Sequence, residues 1–270
     1  MLLIVPHPDD EVLLGAGIVT WASRLGLPLH VCVATNGDYG CADQTVGRLR
    51  LRESLNALEY LGLSQEHVTF LGYADTGMPE MDSFLQKLMR AERPDTCVPS
   101  PCGVTTYGLP GASTWHMRRF GREASYCRRD IQQDLRTLLE ALEPDTVLTT
   151  SLEDTHFDHS ALCRFVMEAA AARPTPPAVY QGVVHSLGGD ERWPLRDGAV
   201  PFTLPEGVEA YTPVRFPLPP NMWDGAFDEP VKRHALRCHV TAMKPDAVDF
   251  LSAFVKADEL FFLPKENAHA

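Results

Sequence analysis

The strongest constraint on this chain is that short apolar runs alternate with amphipathic stretches from its first residues onward. Met1-Leu2-Leu3-Ile4-Val5 is an apolar run cut off by Pro6-His7-Pro8-Asp9-Asp10, and residues 10–25 then place apolar side chains at helical spacing as far as Gly26. A second run at 29–35, an amphipathic stretch over 48–61 closed by Gly62, and a third run at 67–71 repeat the rhythm. Unbroken apolar runs suit parallel strands buried on both faces, and strands alternating with helices at this interval predict βαβ units. The expected fold class is α/β: a Rossmann-like, mainly parallel sheet with helices on both faces.

The rhythm loosens over 94–127, where Pro99-Ser100-Pro101 and Gly108-Leu109-Pro110-Gly111 leave no period, and again over 185–222, which is rich in Pro and Gly. Between them the pattern predicts a helix over 126–142, a strand over 145–150, a helix over 160–172 and a strand over 178–184. A helix over 223–239 and an apolar cluster at 260–263 follow. The chain therefore reads as a single domain, 1–270, with a core of 1–184 and 223–263 and long loop insertions at about 94–127 and 185–222; a length of 270 residues suits one large core.

The formal charge of −12 disfavours nucleic acid and anionic membrane surfaces, because both need a basic face. No apolar run approaches the length of a membrane span, so a small-molecule substrate is expected. Residues 1–5 lack the basic flank of an export signal, and seven cysteines without a close C-x-x-C pair read as free thiols, which together predict a cytoplasmic protein. The sequence leaves a homo-oligomer open. The cluster Arg118, Arg119, Arg122, Arg128 and Arg129 reads as a solvated flank.

Two segments carry candidate chemistry. Pro6-His7-Pro8-Asp9-Asp10-Glu11 stands at the junction of the first strand and helix, where proline and carboxylates also serve simply as a helix start. Asp154-Thr155-His156-Phe157-Asp158-His159 stands at the junction after 145–150. Ligands of open parallel sheets gather at the carboxyl ends of strands, so the fold itself would bring the two segments together. His7, Asp10 and one later histidine would make a three-ligand zinc set with water in the fourth position. With Asp10 on the metal, Asp9 would face the water as a base, and Glu11 would point away into the helix. Gly15-Ala16-Gly17 lacks dinucleotide-binding spacing and reads as close helix packing. The trio His234, Cys238 and His239 reads as structural.

These segments resemble the LmbE-like (PIG-L) N-acetylglucosaminyl deacetylases: Pro-His-Pro-Asp-Asp-Glu after the first strand, and a later His-x-Asp-His. Thr35-Asn36-Gly37-Asp38, Arg50-x-x-Glu53 and residues 71–78 add to the likeness, which spans about 1–170 and returns near 257–261. The resemblance implies His7, Asp10 and His159 as ligands of Zn2+, with Fe2+ as the other fitting metal. It implies Asp9 as general base, His156 as oxyanion stabiliser and acid, and Asp158 orienting His156. Arg50 is implied to contact the polar groups of an N-acetylated, sugar-like substrate, with Asp75 beside it. The implied reaction is removal of an acyl group, acetyl by the likeness, from an amide nitrogen. Phe157 departs from the proline common at its position. Trp115, Tyr107, Trp193 and Trp223 are candidates for stacking on a sugar. Two histidines and a carboxylate also describe a non-haem iron oxygenase, and a non-catalytic metal-dependent sugar-binding protein is a third reading.

Overall fold

In the computed structural model, which describes residues 1–196, 200–226 and 228–265, the opening apolar run is the middle of the sheet. The strands are β1 (Leu2–Val5), β2 (His30–Thr35), β3 (Val68–Tyr73), β4 (Thr146–Thr150), β5 (Ala178–Gly182), β6 (Tyr211–Pro217) and β7 (Asp258–Pro264). The helices are α1 (Asp10–Leu25), α2 (Thr45–Tyr60), α3 (Phe84–Arg90), α4 (Trp115–Phe120), α5 (Arg128–Leu142), α6 (Phe157–Ala171), α7 (Val231–Arg237) and α8 (Val248–Ser252). Sheet order is β3-β2-β1-β4-β5-β7-β6, with β1 through β5 parallel and β7 antiparallel to both neighbours.

Because side chains alternate along a strand, β1 divides its residues between two cores. Leu3 and Val5 join Val31, Val33 and the inner faces of α1, α2 and α7, while Leu2 and Ile4 join Cys32, Val147 and those of α3, α5 and α6. Both faces are thus covered, as the unbroken apolar runs predicted. Chain order along the sheet reverses at β1, which lies between β2 and β4, and the crevice at that switch point holds the loops after β1 and β4.

Several boundaries differ from the sequence expectation, for physical reasons. Residues 211–217, within the stretch read as irregular, form the edge strand β6. Its burial pattern is mostly exposed, so it lacks the apolar signal of an inner strand, and Pro213 and Pro217 suit an edge. The helix expected over 223–239 is only Val231–Arg237, because Pro230 precedes it. The short helices α3 and α8 were not expected; at 7 and 5 residues they are too brief to show a period. Positions 197–199, inside the 185–222 stretch, lie outside the described residues.

The glycine pair of α1 packs as read. A Cβ on Gly15 would meet Leu3 Cδ2 at 2.8 Å, and one on Gly17 would meet Leu218 Cδ2 at 2.2 Å. Beside Gly17, buried Glu259 accepts the N–H groups of Gly17 and Ile18 at 2.7 and 3.0 Å. Lys232 Nζ, equally buried, donates to Leu13 O at 2.8 Å and lies 3.2 Å from Glu259 Oε1, so α1, α7 and β7 meet at one internal ion pair. No described helix is long and apolar enough to cross a membrane.

Candidate active site

The loop after β1 turns sharply before α1, and Asp9 adopts φ 123°, outside the usual regions for a residue with a Cβ. The surroundings enforce it. Thr35 donates N–H and Oγ1 to Pro6 O, each at 2.8 Å; Arg50 Nη2 donates to Pro8 O at 2.7 Å; and Glu11 Oε2 accepts the Asp9 N–H at 2.9 Å. Glu11 therefore does not point away into the helix but folds back over the turn. Its other oxygen lies 3.1 Å from His239 Nε2.

The turn points Asp10 and Asp9 apart. Asp10 Oδ2 lies 3.3 Å from His7 Nδ1 and 3.4 Å from His159 Nε2, and the two ring nitrogens are 3.2 Å apart. All three residues are nearly sealed from solvent. The outer nitrogens have carboxylate partners: His7 Nε2 is 3.4 Å from Asp158 Oδ2, and His159 Nδ1 is 3.1 Å from Asp154 Oδ2. Hydrogens on those outer nitrogens leave bare lone pairs on the inner ones, both facing a carboxylate oxygen. Three acceptors this close repel unless a cation lies among them. Atoms about 2.0–2.1 Å from a tetrahedral zinc lie about 3.3–3.4 Å from one another, so the triangle is compatible with a metal site.

The electrostatics of the same groups favour positive charge at this point. Burial opposes a charge on His7, yet the carboxylates of Asp10 and Asp158 outweigh it and raise its pKa well above the usual imidazole range. Burial likewise opposes the Asp10 carboxylate, but His159 and His7 hold its pKa far below normal.

His156 caps α6, and its Nδ1 accepts the Asp158 N–H at 3.2 Å, which leaves any hydrogen of the neutral ring on Nε2. Its ring lies 4.7 Å from those of His7 and His159. A ring nitrogen of His156 is within 4.8 Å of one on each of them. Burial and the neighbouring histidines His159 and His7 keep it neutral. One expectation is corrected here: the Asp158 carboxylate does not orient His156. It reaches His7 and the Leu85 N–H, at 2.7 Å, because α3 lies against the first turn of α6 and draws that side chain inward.

Arg50, read in the sequence as a contact to sugar groups, also reaches the turn that carries Asp9. Its guanidinium donates to Gly37 O at 2.9 Å and Pro8 O, and Nη2 lies 3.1 Å from Asp9 Oδ2. It stands behind the Asp9 turn. Gly37, at φ 61°, has to be glycine, since a Cβ would meet the guanidinium at 2.5 Å. Asp75 accepts the Gly77 N–H at 3.1 Å and lies 4.0 Å from Arg50 Nη1. Burial pushes the Asp9 carboxyl up to about 6, while Arg50 pulls the other way.

A match to the PIG-L family model, described as GlcNAc-PI de-N-acetylase, covers residues 2–170. The chain belongs to the PIG-L family. Among solved structures, this PIG-L chain is similar to the N,N'-diacetylchitobiose deacetylase of Pyrococcus horikoshii, at 16% identity and TM-score 0.57 over 97% of this chain and 83% of that one. A teicoplanin deacetylase in its zinc-inhibited form gives 16% identity and TM-score 0.57 over 99% of both chains. The 4-carboxy-2-hydroxymuconate hydratase of Pseudomonas putida KT2440 gives 16% identity and TM-score 0.54 over 100% and 98%. A comparison with curated protein sequences gives no match. At such identities the structural likeness is one of fold, and a hydratase within it means that the reaction has to be argued from the side chains.

Two neighbours of the site, both beyond the matched residues 2–170, were not read from the sequence. His239 was set aside with His234 and Cys238, but the three separate: His234 stacks on Tyr60 at 4.2 Å, while His239 turns inward to Glu11. His185, after β5, lies 5.5 Å ring to ring from His156 and 5.4 Å from His159. No motif flagged it, because it stands alone in an irregular stretch; its place after the strand next to β4 was the available signal. Of the aromatic candidates, Tyr107 and Trp193 are buried, with Tyr107 Oη on Asp38 and Trp193 Nε1 on Thr203 O. Trp115 and Trp223 likewise have their ring N–H groups on Thr137 and Leu218 O. The basic cluster is partly paired internally, with Arg122 and Arg129 both on Asp130.

Proposed function

We propose that this protein is a metal-dependent N-deacetylase that hydrolyses the amide of an N-acetylated, sugar-like small molecule. The observation that carries the proposal is the triangle of His7 Nδ1, Asp10 Oδ2 and His159 Nε2, 3.2–3.4 Å on a side, with each ring fixed from behind by a carboxylate. The three atoms would hold zinc or ferrous iron, which supplies a polarised water and a Lewis acid for the acyl oxygen.

The chain's own residues do the rest. Asp9, next to ligand Asp10 but turned from it, takes the proton of the attacking water; a carboxyl raised to about 6 is close to the range a base at neutral pH requires. Arg50 holds that carboxylate in place. His156, kept neutral, offers its remaining N–H to the oxygen on which negative charge develops. Asp158 and Asp154 fix the tautomers of His7 and His159. Asp75 supports Arg50 from the other side.

The parallel α/β scaffold and the family disfavour the oxygenase reading, and the Asp9 turn has no purpose in a protein that only binds sugar. The test is acetate release from a panel of N-acetylated sugars and glycoconjugates by the zinc- and iron-loaded protein. Release from one or more members supports the proposal. Oxygen consumption or alkene hydration without acetate release would overturn it.

A further inference from the structure

The expected carboxylate behind His156 is absent, but such a pair stands one strand away. His185 Nδ1 is 2.8 Å from Asp190 Oδ2, and its Nε2 has no partner among the described residues. Its side chain is 14% exposed, and its ring lies 5.5 Å from that of His156 and 5.4 Å from that of His159. Asp154 Oδ2, the oxygen that meets His159 Nδ1, also accepts the N–H groups of Val184 at 2.7 Å and His185 at 3.1 Å. Phe250 stacks on the His185 ring at 5.2 Å, Arg196 lies over Phe250 at 5.5 Å, and Arg196 Nη2 donates to Asp190 O at 2.7 Å. His185, Asp190, Arg196 and Phe250 therefore form a closed ring of contacts that fixes the histidine beside the metal ligands.

We propose that His185, oriented by Asp190, delivers the proton to the departing amine. The inference rests on the hydrolase reading above. A carboxylate on Nδ1 leaves Nε2 as the end that exchanges protons with a reacting group, whereas His156 has only a backbone N–H behind it. Asp9 takes one proton as the oxygen of water bonds to the acyl carbon. The carbon–nitrogen bond then breaks with its electron pair going to nitrogen, and the proton on His185 Nε2 moves to that nitrogen. Acid and amine leave, Asp9 loses its proton to solvent, and His185 regains one.

An alkylamine is a poor leaving group without a proton, and a nitrophenolate needs none. The zinc-loaded wild type, His185→Gln, Asp190→Asn and His156→Gln are assayed on the panel amide that the wild type cuts fastest and on 4-nitrophenyl acetate, with metal content measured for each. His185→Gln is expected to lose about 100-fold or more in kcat on the amide with KM little changed, keep most of its activity on the ester, and keep its metal. Asp190→Asn follows it in smaller degree. His156→Gln loses both activities, because both substrates develop charge on oxygen. Equal losses on amide and ester for His185→Gln, or no loss on the amide, would overturn the assignment while leaving the hydrolase reading intact. A wild type that releases acetate from no member of the panel would overturn the hydrolase reading and this inference with it.

Discussion

Arg50 Nη2 stands 3.1 Å from Asp9 Oδ2 and 2.7 Å from the Pro8 carbonyl oxygen, so one guanidinium holds both the backbone and the carboxylate of a strained turn. A backbone angle like that of Asp9 costs about 1–3 kcal/mol and persists only where its surroundings over-determine it. Here they do so from two sides, with Arg50 on the carboxylate and Glu11 on the N–H.

If Asp9 is the base, Asp9→Asn keeps the shape of the turn and removes proton acceptance. Its kcat is expected to fall by about 100-fold to 10,000-fold, with metal content unchanged by elemental analysis. Full activity in this variant would refute the role.

Arg50→Lys keeps one charge but loses the forked donor that reaches Gly37 O and Pro8 O together. Activity should drop at least tenfold, a change of about 1.4 kcal/mol in barrier, and Arg50→Ala should drop further and lower Tm. Wild-type kinetics in the lysine variant would show that the fork is dispensable.

The base acts only when ionised, so kcat/KM should fall as pH descends through about 6, the value to which burial pushes Asp9. Arg50 and His239 both draw that value down. His239→Gln removes one of them, and the acid limb should move to higher pH. His234→Gln serves as the control, because His234 faces Glu229 and Tyr60 and should leave the limb where it is. A limb unmoved in His239→Gln would contradict the coupling.

Lys232→Met leaves the Glu259 carboxylate buried beside α1 without its cation. Breaking one side of a buried pair is expected to lower unfolding free energy by about 3–5 kcal/mol in urea denaturation. A change below about 1 kcal/mol would mean that the two backbone N–H groups alone satisfy Glu259.

The sequence was legible where one residue type has one use. Leu2–Val5, an unbroken apolar run without a basic flank, reads as an inner strand, and that placed His7 and Asp10 at the sheet's carboxyl edge together with His156 and His159. What was not legible depended on direction. Asp158 lies between two histidines in sequence, and nothing in its spacing says that it turns to His7 instead of His156; packing of α3 decides that. Arg50 was read as a substrate contact from the family resemblance, and its position in the sequence does not reveal that its terminal nitrogens reach the Asp9 turn. His185 lies in a stretch without period and His239 at the end of a segment read as one helix with His234, so only the three-dimensional arrangement relates them to the site.

In the proposed function, His7, Asp10 and His159 hold the metal that hydrolysis requires. The most direct measurement is acetate release by purified protein stripped with a strong chelator and then titrated with zinc or ferrous iron. Activity is expected to be lost on stripping and to recover with saturation near one equivalent of metal, with no recovery in His159→Ala. Undiminished activity in protein shown by elemental analysis to be metal-free would contradict it.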